Sequence, residues 1–445
     1  MQRSMTTAAL LAAALSPQLA TAETSEMEAL RAQLRAMQSR LDQLETEAVD
    51  RSATDRLQAA TDAALADAES RVNYEADQML AGHDDKTFFL ESEDGGFSLG
   101  LSGQAQVRYI YNERSNAPGD GLGDSDSLSG FQLRRTKLKG KGHIADPKIN
   151  YNITLATNRD SNDVFLEELA VGYAFDNGVE VSAGRFKAPF AYDELTSSSR
   201  QQAVERSLVN ELFTVGFTEG LQVEFEPAEP VLVRLMFNDG AGAGEGGNGD
   251  FNETPTDYAF TGRVDFTFGG SSGFAKDYTS WAEDESGVNL GLAAHHQHNK
   301  TGAGVDADDL DAFTRFTADV LYNAGGLSLF GAAYEQLSDP SDDTATEVDP
   351  FGFQAQAGYT FDDTIEPFVR YEWIDTDVAG ADEISLVTVG VNYYLAKHSA
   401  KFTLDGVYAL DPLNGISVSD GFGLQGDDAD EDGQFAIRAQ FQLLF

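Results

Sequence analysis

Four basic residues stand two apart in one segment: Arg135, Lys137, Lys139 and Lys141. In an extended chain, alternate residues share a face. The four therefore form a column of positive charge, with Arg134, Leu138 and Ile144 on the opposite face. Such a column replaces part of an anion's hydration by charge-assisted hydrogen bonds. The same phase rule, applied to other alternating segments, puts Arg108, Arg234, Arg263, Arg315, Arg370 and Arg438 on the polar face. Asp265, Asp319, Glu372 and Asp405 share that face, and some of the basic groups are expected simply to balance them.

The connection 188–217 is long and carries its own apolar residues, among them Pro189, Phe190, Leu208 and Phe213. A loop of that kind is expected to pack rather than float. If it folds inward, Arg200, Glu205, Arg206 and Glu211 become constriction residues; the alternative is a loop that covers a subunit interface. Asp428, Asp430 and Asp432 match the first half of a calcium-binding loop, with Gly433 at its sixth position. Its twelfth position would be Ala439 instead of Glu. A loosely bound Ca2+ and a solvated acidic loop are the two readings of this motif, and no other cofactor is expected. His296 and His298 share a face without an evident third metal ligand. No Ser/His/Asp constellation stands out, and the absence of cysteine removes thiol nucleophiles and Cys-ligated zinc. No catalytic residue is expected.

These side chains must be positioned by strands. Sixteen segments of period two follow one another at 97–112, 131–144, 149–158, 165–175, 179–187, 218–226, 231–238, 258–268, 288–299, 312–323, 327–337, 351–361, 365–374, 384–395, 400–410 and 434–445. Several reach the length a tilted strand needs to cross a bilayer. Connections after even-numbered segments are mostly short and those after odd-numbered ones mostly long, as in a transmembrane barrel. The stretch 269–287 is the exception, long where a turn belongs, and leaves room for an extra element or one hairpin miscounted. The last segment alternates Phe435, Ile437, Ala439, Phe441 and Leu443 with polar residues and stops on Phe445. Four cations on a lipid face would cost about 2–4 kcal/mol each near the midplane, so the Arg135–Lys141 column must face the lumen.

Two further segments precede the barrel. Met1–Ala22 has one cation, an Ala/Leu core and Ala20-Thr21-Ala22, the pattern of a cleaved secretion signal. Met27, Leu30, Leu34, Met37, Leu41 and Leu44 are spaced as the a/d seam of a coiled coil, over fewer than three clean heptads. The expected organisation is a signal peptide at 1–22, a periplasmic coiled-coil helix at 23–80, a polar linker at 81–96 and an all-β, sixteen-stranded antiparallel barrel at 97–445. With 30 Lys and Arg against 74 Asp and Glu, the net charge is −44. A chain this acidic is a poor ligand for nucleic acid. The long connections 338–350 and 411–433 hold five and seven acidic residues, with no base in either.

The runs Phe131-Gln-Leu-Arg-Arg-Thr-Lys-Leu-Lys-Gly-Lys141, Gly184-Arg-Phe-Lys-Ala-Pro-Phe190, Glu194-Leu-Thr-Ser-Ser198, Glu205-Arg-Ser-Leu208 and Val389-Gly-Val-Asn-Tyr-Tyr-Leu395 resemble the phosphate-selective porin O/P family. The resemblance implies a sixteen-stranded homotrimeric porin in outer-membrane lipid, often with an N-terminal coiled coil, that conducts small anions such as phosphate or polyphosphate. Two alternatives stand beside it. The acidic connections could make the channel weakly selective or cation-preferring, or the coiled coil could tether the envelope to the cell wall with conduction incidental.

Overall fold

The computed structural model describes residues 33, 36–37, 79–84, 87–114, 127–158, 161, 163–242, 256–300, 310–340, 347–378, 383–413, 418, 421–425 and 433–445. The secretion signal, nearly all of the coiled-coil segment and the Asp428–Asp430–Asp432 motif lie outside the described residues. The chain divides into two compact units, Met1–Gly100 and Leu101–Phe445.

In the first unit, β1 (Met79–Asp84) and β2 (Thr87–Ser92) pair antiparallel, Met79 opposite Ser92 and Asp84 opposite Thr87. The linker expected at 81–96 thus contains a hairpin. Its strand-forming run, Thr87-Phe88-Phe89-Leu90, is too short for a periodicity test to separate from a polar surround.

Sixteen strands make the barrel. They are β3 (Phe97–Glu113), β4 (Ser127–Ile144), β5 (Asp146–Thr157), β6 (Val164–Ala174), β7 (Glu180–Lys187) and β8 (Phe217–Ala228). Then come β9 (Val231–Asn238), β10 (Thr256–Gly269), β11 (Gly287–Asn299), β12 (Leu310–Ala324) and β13 (Leu327–Pro340). The last five are β14 (Phe351–Tyr359), β15 (Ile365–Asp375), β16 (Ile384–Ala396), β17 (Ala400–Ala409) and β18 (Phe435–Leu444). Each of the sixteen alternating segments read from the sequence corresponds to one of these strands. Neighbours in sequence are neighbours in the sheet, and β18 pairs antiparallel with β3, from Phe435 opposite Glu113 to Leu444 opposite Gln104. That seam leaves no strand edge, which is the condition for a sheet in lipid. At its end Phe445 donates its N–H to the Gly103 carbonyl at 3.1 Å. A Cβ at residue 103 would lie 2.5 Å from the Phe445 ring, so the terminal ring packs over the space the glycine leaves.

The alternation has the polarity of a membrane barrel. Val107, Leu138, Leu235, Phe260, Leu292, Val389 and Phe441 are exposed on the outside. Gln106, Arg108, Arg263, Asp319, Arg370, Thr388 and Arg438 are buried inside. Membrane-facing apolar and inward polar residues follow from one period-two pattern.

Among the described residues three connections fold inward; in the one between β17 and β18, Phe422 and Leu424 are fully buried and the Phe422 carbonyl accepts from Arg438 at 2.7 Å. The segment between β7 and β8 contains α1 (Tyr192–Leu195) and α2 (Leu208–Phe213). Its apolar side chains Phe190, Tyr192, Leu208 and Phe213 form the buried core with Phe330, Tyr334 and Ile374 of the wall. The stretch 269–287 hides no further strand: it holds one 3-10 turn, Phe274–Lys276, and β10 and β11 remain sequential neighbours. It is long because it runs beside other short turns. Asp284 accepts from the Gly325 N–H at 3.1 Å, Asp363 accepts from the Ala282 N–H at 2.8 Å, and Thr279 and Tyr394 hydroxyls meet at 2.9 Å.

Candidate functional site

A loop buried inside a barrel carries peptide groups that must find partners away from water. In segment 188–216 the wall supplies them. Arg263 donates to the Phe190 carbonyl at 2.7 Å, Lys401 to Gln201 at 2.6 Å, Asn392 to Gln202 at 3.0 Å, Arg370 to Glu205 at 3.0 Å and Arg315 to Thr214 at 2.9 Å. In the other direction, the Val204 N–H donates to Asp405 at 2.8 Å and the Leu208 N–H to Glu372 at 2.5 Å. Ser207 caps α2 by accepting from the Asn210 N–H at 2.9 Å. The wall residues come from β10, β12, β15, β16 and β17, so the loop lies against that side of the barrel.

Several inward arginines are therefore already engaged. Arg108, Arg263, Arg370 and Arg438 are each no more than 1 % exposed. Arg263 bridges Asp265 and Asp319 at 2.8 and 2.7 Å, Arg370 pairs with Glu372 at 2.8 Å, and Arg438 with Asp405 at 2.7 Å. Register makes the Arg263 bridge: Asp265, Gly291 and Asp319 stand in one row across β10, β11 and β12. A Cβ at residue 291 would fall 2.0 Å from Arg263 Nη2, so the guanidinium occupies the room the glycine leaves.

On the opposite side, Glu205 at the loop's inner bend is 4 % exposed and meets three guanidinium groups. Arg135 lies at 2.5 Å, Arg134 at 2.6 Å and Arg108 at 3.3 Å. Burial alone would raise this carboxyl, but Arg134, Arg135 and Arg108 hold it well below the usual carboxylate range. The phase rule put Arg134 on the lipid face, and the structure corrects this. Leu133 and Thr136 are exposed with two inward residues between them, a break in alternation that aims both Arg134 and Arg135 at Glu205. A second break lies in β6. Thr154 pairs with Glu168 and Leu155 with Leu166, so Glu167 is an extra residue. Through this bulge Glu167 reaches Lys137 at 2.5 Å while its neighbour Glu168 accepts from Thr154 at 3.2 Å.

Between the loop and strands β4 to β9 space remains. One cavity of about 300 Å³ is lined by Arg134, Arg135, Lys137, Glu167, Lys187, Glu194, Arg206 and Phe217, among others. A second, of about 420 Å³, shares Lys137, Glu167, Lys187 and Phe217 and adds Lys139, Glu168, Glu224 and Arg234. Where they meet, Glu194 is held by Lys187 at 3.1 Å and Arg206 at 3.3 Å. Burial favours the neutral Glu194 carboxyl, yet Arg206 and Lys187 outweigh it and hold the group at about 2. Arg234 is bonded to Asp265. Lys139 has no ion-pair partner among the described residues, and Lys141 continues its face as an exposed side chain outside both cavities.

The remaining candidates are scattered. Arg200 leans on the β10–β11 connection, donating to the Lys276 carbonyl at 3.3 Å, and Glu211 sits in the first turn of α2. His295 is buried against Thr261, while His296 bonds Thr314 at 3.0 Å on the outer face. Among the described residues no group of three His, Asp or Glu is placed to hold a metal ion. Sequence reasoning missed Lys187, Glu167, Glu168 and Glu194 as lining residues. Only the bulges and the packed loop, neither of which alternation reports, bring them to the passage.

A family model described as phosphate-selective porin O and P matches residues 114–405, well over half of the chain. The chain belongs to this family. It is thus an outer-membrane porin, of a family and fold that form channels. The anion-selective porin from Comamonas acidovorans shares 15 % identity and a TM-score of 0.52, over 78 % of this chain and 100 % of that one. OprB of Pseudomonas putida shares 11 % identity and a TM-score of 0.53, over 79 % and 95 %. OmpT of Vibrio cholerae in its trimer form shares 14 % identity and a TM-score of 0.51, over 78 % and 99 %. At these identities the likeness is one of fold. No curated protein sequence matches the chain.

Proposed function

We propose that this porin passes small anions, phosphate and polyphosphate among them, by passive diffusion along the β4–β9 side of the lumen. Segment 188–216 acts as the constriction. One observation carries the reading: the passage beside the loop is lined by seven basic and four acidic side chains, in a chain whose net charge is −44. Asp265, Asp319, Glu372 and Asp405 are paired with arginines and Glu366 is held by Gln202, Asn392 and Tyr394, so the basic groups lining the passage are in excess where solutes pass. Each basic group there has a nearby acid or a competing neighbour. Sites of this kind bind weakly and in series, which favours conduction over trapping. Arg135, Lys137, Lys139 and Arg234 contribute directly, while Arg108, Arg263, Arg315 and Arg370 hold the loop that narrows the path and Arg438 braces Asp405, which accepts from the loop at Val204. Lys141 extends the column toward the short-turn end. The working unit is a homotrimer, a reading supported by the trimeric form of the Vibrio cholerae neighbour.

Reversal potentials across a planar bilayer in a KCl gradient test this. The wild type is expected to reverse on the anion side, and Lys137→Glu with Lys139→Glu to move the potential toward the cation side. A wild-type potential already on the cation side, unmoved by the double variant, overturns the anion reading and leaves the cation-preferring one.

A further inference from the structure

The larger cavity differs from the rest of the passage in the order of its charges. Lys137 and Lys139 enter it from β4, Glu167 and Glu168 from β6, Lys187 from β7, Glu224 from β8 and Arg234 from β9. Sign changes repeatedly around the wall instead of accumulating on one side. Within this ring Lys139, Thr154 and Glu168 stand in a single row, because Lys139 pairs with Thr154 and Thr154 with Glu168. Two strand spacings, about 10 Å, separate the ends of the row at the backbone, and both long side chains reach inward from it. Lys139 has no ion-pair partner among the described residues, and Glu168 has none either, its bond being to the Thr154 hydroxyl at 3.2 Å. The row therefore presents an ammonium and a carboxylate that attract each other across the space without a direct ion pair, which leaves both open to a solute. Phe186, Phe217 and Leu195 line the same space and give it an apolar flank. At about 420 Å³ it has the size of a small-molecule pocket.

We propose that this cavity is a subsite for small organic zwitterions, molecules with one carboxylate, one ammonium and a short apolar part, as in an aliphatic α-amino acid. The solute carboxylate meets Lys139, its ammonium meets Glu168, and its apolar part lies toward Phe186 and Phe217. A simple anion uses the basic groups of this wall alone, whereas a zwitterion also engages Glu168. The proposal rests on the pore reading above and adds a second class of solute to it.

Swelling of proteoliposomes in L-valine and in erythritol, a neutral solute of similar mass, decides the matter. Valine is expected to enter about fivefold faster than erythritol, the scale of two weak ionic contacts in a wet site. Lys139→Gln and Glu168→Gln should each remove most of that excess. The exchange Lys139→Glu with Glu168→Lys keeps both charges in the row and should recover it, which a purely structural role would not do. Unheated gel mobility verifies that every variant is a folded barrel, and the wild-type comparison needs no variant. Erythritol entry without preference for valine overturns the subsite alone, as does an exchange variant as slow as the single ones. If neither solute enters, the pore reading falls and the subsite with it.

Discussion

Glu205 places a carboxylate of the chain itself where a solute anion would otherwise sit. Three guanidinium groups share one negative charge, and the cluster keeps a net positive charge. Glu205→Gln should therefore raise the chloride-to-potassium permeability ratio about fivefold, the Coulomb effect of one charge at 4 Å in a water-like medium. Zero-current potentials measure it. The same change leaves buried guanidinium groups short of a partner and should cost about 3 kcal/mol of stability. Acid should act in the same direction. Glu194 and Glu205 both have folded values below the unfolded one, so their contribution is complete above about pH 4.3. It falls away as pH drops toward the folded value, about 2 for Glu194. Single-channel conductance is expected to stay constant from pH 7 to about 4.5 and to become larger or noisier below about pH 3 as the loop loosens. A change centred near neutrality would mean that other groups hold the loop. At this scale the sequence was legible in part. The phase rule alone sends Arg263, Arg370 and Arg438 inward, as observed. It could not say that each meets an acid or a loop carbonyl, because partners depend on the register of neighbouring strands.

Among the elements, strands were the most legible and the connections least. A strand with one lipid face and one wet face declares itself every second residue. A bulge costs one residue and shifts the phase, so Arg134 and Glu167 read as outward or unplaced until pairing is known. The inward fold of 188–216 was suggested by its apolar residues, but which wall it would occupy was not. The structure ties that wall to Gly291. Gly291→Val should push Arg263 off Asp319 and release the Phe190 carbonyl. The barrel should still form, because residue 291 sits mid-strand with both ladder partners retained. Its thermal midpoint in detergent should drop, and its conductance should fluctuate more than that of the wild type. Quiet, wild-type currents would show that the loop is held without this clamp. The β10–β11 connection invites a parallel test. Replacing 270–286 by a two-residue turn removes the contacts to Gly325, Asp363 and Tyr394. It is expected to raise conductance while leaving anion preference intact, since the basic passage lies on other strands.

Over the whole molecule, a net charge of −44 coexists with a basic inner passage. The two are compatible because charge in water is screened within about 10 Å at 0.1 M salt. The acidic connections 338–350 and 411–433 follow β13 and β17. They should repel multivalent anions in dilute salt and lose that influence in concentrated salt. The permeability of phosphate relative to chloride is accordingly expected to rise with ionic strength. A ratio independent of salt would place the discriminating charges inside the barrel only. Sixteen strands and their order could be read from composition, alternation and loop length, because a membrane barrel repeats one rule along its length. The seam has a consequence of another kind. The final stave of this cylinder is hydrogen-bonded to the first, and Phe445 ends against Gly103. Until the eighteenth strand meets the third, the sheet has two raw edges and a greasy side with nowhere to lie. Any partial cylinder exposes strand edges that invite pairing with other chains, so closure protects the protein only once every stave is in place.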